Sequence, residues 1–208
     1  MKIIPPSFEV ITPLQGTQIL ETIEKIGRVC YKSEARISEG SARRFLQNIL
    51  KNGHESVIEH YSVTVKVICD RGISHEIVRH RLASYSQEST RYCNYSSGKF
   101  GNELTVIRPY FWDELDEKYQ VWKQSMESAE KAYQTLINLG ATPQEARSVL
   151  PNSLKTELVM TMNLREWRHF FRLRADSHAH PQMREITIPM LREFQKQIPV
   201  VFDDIILE

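Results

Sequence analysis

Arginines are the residues whose placement in this 208-residue chain most suggests chemistry. Arg79, Arg81 and Arg91 lie in the stretch RHRLASYSQESTRY, residues 79–92. Arg165, Arg168, Arg172 and Arg174 crowd one short helical segment, and Arg147 sits between the two groups. A guanidinium is a planar fork that binds phosphate and carboxylate oxygens in pairs, so these groups suit an anionic ligand. Arg168 and Arg172 read as a solvated helix face. Arg174 lies one turn from Phe170 and Phe171, so it reads as reaching a partly buried pocket, where a guanidinium requires an anion or a carbonyl.

Other chemistries lack their patterns. Of the seven histidines, His54 and His60 are six apart and His75 and His80 five apart, so neither pair has the four-residue spacing of a zinc-binding helix. His178-Ala-His180 has no carboxylate–cysteine set to complete it, and hydrogen-bonded polar histidines account for the pattern without a metal. Ser84, Ser86 and Ser89 lack the GxSxG elbow of a serine nucleophile. No GxGxxG or GxxxxGK[ST] run occurs. A phosphate would therefore be held by arginine side chains and the backbone amides of residues 86–91. Cys93 has no evident base beside it and reads as structural.

Composition bounds the setting. Hydrophobic residues make up 41% and charged residues 25%, as in ordinary globular chains. Net charge is +1 and the pI about 7.8, whereas a nucleic-acid-binding domain typically exceeds about 9. Cys30, Cys69 and Cys93 form no CxxC pair, which fits a reducing compartment. MKIIPPSFEV lacks a leader's apolar core, and no apolar run nears the roughly 20 residues of a membrane helix. A cytoplasmic protein is expected, with no membrane and no nucleic acid among its partners.

Positioning those arginines requires a mixed fold. Residues 16–30 place Ile19, Ile23, Ile26 and Cys30 at helical spacing, and 41–52 do so with Phe45, Leu46, Ile49 and Leu50 before Gly53. Residues 61–69 and 154–162 alternate as half-buried strands, and 103–108 reads as a strand ended by Pro109. Asp70–Gly72 reads as a turn, with Ser74 capping a short helix over SHEIVRHR. The strongest helical pattern is 113–139, capped by Asp113, with Leu115, Tyr119, Trp122, Met126, Ala129, Tyr133 and Leu136 on one face and Gly140 as its stop. Thr142-Pro143-Gln144-Glu145 is a capping box opening a helix that stops at Pro151. Asn163, with Glu166 three residues on, opens another helix carrying Trp167, Phe170 and Phe171. Pro189 should kink or restart the helix at 183–198. The expected fold is α+β: one domain over 1–208, with a central, mainly antiparallel sheet flanked by helices.

Taken together, four blocks are specific. Arg79-His80-Arg81…Ser89-Thr90-Arg91-Tyr92 resembles the signature of the flavin-dependent thymidylate synthases. HESVIEH (54–60), EARSVLP (145–151) and NLREWRHFFRLRADSHAH (163–180) resemble three further blocks of that family, in the same order. The resemblance implies reductive methylation of dUMP to dTMP, with 5,10-methylenetetrahydrofolate as carbon donor and NADPH-reduced FAD as hydride source. It implies no protein nucleophile, and a homotetramer whose active sites are shared between subunits. Arg79, His80, Arg81, Gln87, Ser56, Asn163, Leu164, Arg165 and His169 match flavin contacts, and His54 a histidine near the flavin and folate site. Glu76, Arg79, Gln87, Glu88, Ser89, Thr90, Arg91, Arg147 and Arg174 match nucleotide contacts. The resemblance further implies that Ser89 lies beside the reacting pyrimidine edge and that Arg174 favours charge at the uracil N3 and O2. His169 stands where asparagine is common, Gln87 where some members have glutamate, and Glu76 where some have glutamine. An acid is unfavourable beside a phosphate, so Glu76 should face a base, a sugar hydroxyl or an arginine. Two alternatives stay open: a binding module that stacks RNA or nucleotides on Tyr85, Tyr92 and Tyr95, and a member that binds flavin and nucleotide without the reaction.

Overall fold

Alternation builds the sheet. In β3 (Ser62–Asp70), Val63, Val65, Val67 and Cys69 are buried; in β6 (Lys155–Asn163), Thr156, Leu158, Met160 and Met162 are. With β2 (Ser7–Val10) and β4 (Ala83–Gln87) they form a four-stranded, mainly antiparallel sheet in the order β2-β3-β6-β4. β1 (Lys2–Ile4) pairs in parallel with β5 (Thr105–Ile107), with Ile3 opposite Val106. The computed structural model describes residues 1–98 and 101–207. The fold is α+β, with helices flanking the sheet.

The chain groups into two compact units. The first comprises Met1–Ser7, Val67–Arg79 and Tyr85–Val159. It holds α3 (Arg71–Ile77), α4 (Glu117–Asn138) and α5 (Pro143–Ala146), and Tyr95, Leu104, Tyr133, Ala146 and Leu154 form a core cluster in it. The second comprises Phe8–Lys66, His80–Ser84 and the chain from Met160 onward. It holds α1 (Gly16–Tyr31), α2 (Ser41–Lys51), a 3-10 turn at Glu55–His60, α6 (Leu164–Arg174) and α7 (Pro181–Gln197). Trp167, Phe171, Phe194 and Phe202 interlock there, with neighbouring ring centroids 5.0 Å (Trp167–Phe194), 5.1 Å (Phe171–Phe194) and 5.3 Å (Phe194–Phe202) apart. α1 and α2 meet so closely that a Cβ on Gly27 would lie 2.7 Å from the Phe45 ring.

Several boundaries differ from the expected ones. The long helix begins at Glu117, not 113: Asp116, not Asp113, accepts the Lys118 N–H, and Leu115 is 97% exposed ahead of the first turn. Asp70, not Ser74, caps α3 by accepting the Ile73 N–H at 2.7 Å. Ser74 instead lies buried inside α3, and the helix ends at Ile77 rather than running into the motif. Five motif residues, 83–87, form β4 because β6 supplies a ladder edge that no local pattern reveals. The helix begun by the Thr142 capping box is α-helical only to Ala146 and continues as a 3-10 turn, Arg147–Val149. α7 runs unbroken through Pro189. An interior proline costs a helix roughly 3 kcal/mol, and burial of Met183, Ile186, Met190, Leu191 and Phe194 offsets it.

Candidate active site

In the first unit, long-range contacts build the loop that follows β4. Gln87, the last residue of β4, donates to the buried Ser74 hydroxyl at 3.0 Å and to Thr156 Oγ1 at 3.2 Å. Glu88 accepts the Tyr95 hydroxyl at 2.8 Å and the Lys155 ammonium at 2.9 Å. Burial and the Glu88 charge push the Tyr95 phenol up, so it stays a proton donor. Thus anchored, the chain turns at Ser89, whose carbonyl accepts the Tyr92 and Cys93 N–H groups and whose hydroxyl accepts the Arg91 N–H at 3.3 Å. Ser89 is therefore built into a turn, with its hydroxyl engaged by the backbone. Thr90 is buried beneath it. Glu88 serves as an anchor whose charge Lys155 balances.

Several arginines of the signature blocks stand without a carboxylate partner among the described residues. Arg91 Nε donates to the neutral Gln144 amide at 2.9 Å, and its guanidinium lies 5.5 Å from the Tyr92 ring centroid. Arg79 and Arg147 are exposed, and neither has an ion-pair partner among the described residues. Glu76, on the last turn of α3, is half-buried. Of the three tyrosines considered for stacking, Tyr95 is buried and Tyr85 gives its hydroxyl to the Ile77 carbonyl, leaving only Tyr92 broadly exposed.

In the second unit, His80 is 5% exposed and both ring nitrogens are engaged. Arg174 Nε lies 3.1 Å from His80 Nε2, and His80 Nδ1 lies 3.1 Å from Glu166 Oε1. A guanidinium N–H can only donate, so Nε2 is the bare acceptor nitrogen. The proton sits on Nδ1 and donates to Glu166. Burial pushes the His80 pKa down, the Glu166 carboxylate pulls it up, and the Arg174 and His169 charges push it down again; the result is below the ordinary value. His80 is thus held neutral. Phe170 packs edge-on at 4.9 Å, and the exposed His169 ring lies 5.5 Å away. His80, Glu166 and His169 each bring a donor atom within 4.8 Å of the others. Both His80 nitrogens are committed, however, and Arg174 brings a positive charge to the same ring, so the cluster functions as a hydrogen-bond network.

The start of α6 gathers further expected residues. Asn163 caps it by accepting the Glu166 N–H at 2.9 Å, and its side-chain amide makes no other hydrogen bond among the described residues. Leu164 is buried and gives its N–H to the Tyr61 carbonyl. Arg165 pairs with Glu59 of the 3-10 turn that also carries Ser56. His54 Nδ1 meets the Tyr31 hydroxyl at 2.8 Å, and Arg81 is exposed with no ion pair among the described residues.

One expectation is corrected. Arg168 is not on a solvated face: it is 1% exposed and its fork grips Asp204 at 2.6 and 2.7 Å, with Glu55 at 3.1 Å and the Val201 carbonyl completing its contacts. Arg172, one turn on, is exposed and joins the same two acids. Sequence reasoning also missed Tyr95, Lys155 and Glu166 as site-building residues. Lys155 lies 67 positions from Glu88, beyond any local signal. Glu166 did carry one, the Asn163-x-x-Glu166 pattern, which points only to a helix start.

The family model described as "Thymidylate synthase complementing protein" matches residues 14–200. The chain is 38% identical over 185 residues to the flavin-dependent thymidylate synthase of Pyrococcus furiosus, covering 86% of this chain and 75% of the relative. It is 35% identical over 184 residues to that of Geobacter sulfurreducens, covering 85% and 78%, and 33% identical over 227 residues to that of Corynebacterium glutamicum, covering 98% and 86%. Among solved structures, the UMP/dUMP methylase PolB from Streptomyces cacaoi, bound with 5-Br dUMP, shares the fold with a TM-score of 0.77 at 24% identity, over 98% of this chain and 96% of that one.

Proposed function

The chain belongs to the flavin-dependent thymidylate synthase family, and from that premise we propose that it methylates dUMP to dTMP, taking the carbon from 5,10-methylenetetrahydrofolate and the reducing equivalents from NADPH by way of FAD. The observation that carries the reading is that four arginines of the signature blocks stand exposed without a carboxylate partner among the described residues. Arg28, Arg165, Arg168 and Arg172 are paired with carboxylates. Arg79, Arg81, Arg91 and Arg147 of the signature blocks have none among the described residues, although the chain holds 26 acidic residues. Guanidinium groups left without acids suit ligands that bring their own phosphates.

The donor set also fits a flavin. Exposed Arg79 and Arg81 suit its pyrophosphate, and the spare Asn163 amide and exposed His169 suit its ring carbonyls. Ser56, His54, Leu164, Arg165 and His80 complete the flavin-side positions, and Gln87 borders both ligands. When bound, reduced flavin supplies the hydride. This chain's own residues bind and orient. Arg79, Arg91 and Arg147 hold the nucleotide phosphate; Glu76, Gln87, Glu88 and Thr90 shape its site; and Ser89 orients the pyrimidine edge. Arg174 offers a fixed positive charge where negative charge develops on the uracil N3 and O2. No protein nucleophile takes part. Cys69 is buried with its thiol pushed up to about 12 by burial, too weakly acidic to serve as one.

The same reading takes 1–208 as one catalytic domain acting as a cytoplasmic homotetramer with shared active sites. No helix among the described residues is long and apolar enough to cross a membrane. Purified protein should be yellow, bleach when NADPH is added anaerobically, and then form dTMP from dUMP and methylenetetrahydrofolate. A colourless preparation that takes up no added FAD would sink the proposal. Flavin that bleaches without dTMP forming would favour the member that binds its ligands but lacks the reaction.

A further inference from the structure

We propose that Glu166 and His80 are positioning residues for Arg174: Glu166 fixes the proton on His80 Nδ1, so that Nε2 accepts the Arg174 Nε–H and sets the plane of the guanidinium. The inference rests on the reading of Arg174 as the group that stabilises charge on the pyrimidine. All three residues lie in the second unit, and the two links are 3.1 Å each.

A broken local rule marks Glu166 as more than a helix-start residue. It stands three residues after the cap Asn163, where a glutamate ordinarily returns to the cap's backbone N–H. Glu145 makes that return at 2.8 Å to Thr142 N. Glu166 makes no bond to Asn163 N among the described residues and reaches His80, 86 positions away, at a side-chain exposure of 8%. A departure from local preference inside a buried network is expected where function requires it.

Charge gives the arrangement its direction. The first turn of α6 favours an anion at Glu166, and Arg174 is permanently cationic. A neutral imidazole between them is an acceptor on one side and a donor on the other. Protonation would put a hydrogen on Nε2, remove the acceptor from Arg174 and place two cations side by side. The charged and titratable groups whose effect on the ring is resolved among the described residues are Glu166, Arg174 and His169, all on α6. His80 should therefore set the acid limb of turnover, with activity present when it is neutral and lost as pH falls.

The test compares holoenzyme of the parent, Glu166→Gln, His80→Gln and His80→Leu, measuring kcat and KM for dUMP against pH, flavin content, and the imidazole 15N resonances. Glutamine at 166 keeps an acceptor for Nδ1–H but removes the charge that favours imidazolium, so the acid limb should move to lower pH with a several-fold loss of kcat at pH 8. Glutamine at 80 offers Arg174 an oxygen and cannot titrate, so it should turn over without that limb. His80→Leu, assayed with saturating added FAD so that any weakened flavin binding is offset, should lose kcat by more than about tenfold, in the range typical for removing a ligand-orienting partner. An acid limb unmoved in both glutamine variants would overturn the proposal, as would 15N spectra showing the proton on Nε2 at pH 8. If the parent forms no dTMP, the proposed reaction fails, and the 15N spectra alone then decide whether the network stands.

Discussion

Arg174→Ala should reduce dTMP formation by about two to three orders of magnitude, the usual loss when one preorganised stabiliser of developing charge is removed. Its effect on folding should be far smaller. Arg174 is only half-buried at the end of α6, and its loss leaves His80 Nε2 without this donor, a cost of about 1–3 kcal/mol. Steady-state turnover and urea unfolding midpoints on the same preparations measure the two effects. A stability loss large enough to explain the lost turnover would make Arg174 structural. Arg174→Lys should not restore activity: an ammonium keeps the charge but lacks the planar fork, one nitrogen of which meets His80.

Arg168→Ala should have the opposite profile. This buried guanidinium ties α6 to Glu55 in the 3-10 turn and to Asp204 and Val201 in the C-terminal segment. Removing one partner of a buried ion network typically costs about 3–5 kcal/mol, because the remaining charges lose their compensation. Some of that is relieved here, since Asp204 can turn to water: its side chain is 56% exposed. The urea midpoint should fall steeply, and flavin retention with it, because the turn held by Glu55 also carries Ser56. An unchanged midpoint would show that water replaces the network without loss. The network should also weaken in acid. Burial pushes the Asp204 carboxyl up, but the hydrogen bonds and charges of Arg168 and Arg172 outweigh it and hold it below its ordinary 3.8. A carboxyl depressed in the folded state contributes stability above its unfolded value, and that contribution disappears as pH falls through the folded one. Arg168→Ala should accordingly flatten the acid side of the stability profile below about pH 5.

The two arginines differ because α6 presents successive turns to different surroundings. Trp167, Phe170 and Phe171 fix which face of the helix is buried, and Arg168 lies on that face against the 3-10 turn and the C-terminal segment. Arg172 is one turn further on, at the rim. Nothing in LREWRHFFRLR separates them, since residue type and helical spacing are the same for both.

Much short-range physics was legible, although the choice of cap at α3 and at the long helix was not. The alternating valines of β3, the Asn163 cap of α6 and the Gly140 stop after α4 depend on residues within one or two turns of each other, and each appears where the sequence puts it. The family was legible for a related reason: its motif residues occur as four contiguous blocks in a constant order. The tertiary structure alone decided which groups meet across long separations. It made residues 83–87 a strand, buried Arg168, joined Glu88 to Lys155, and drew Glu166 away from its own helix start to His80. Local propensity acts over a few residues at a few tenths to about 1 kcal/mol each. Pairings 67 and 86 positions apart are set by how whole elements pack and by the cost of leaving a buried charge unpaired.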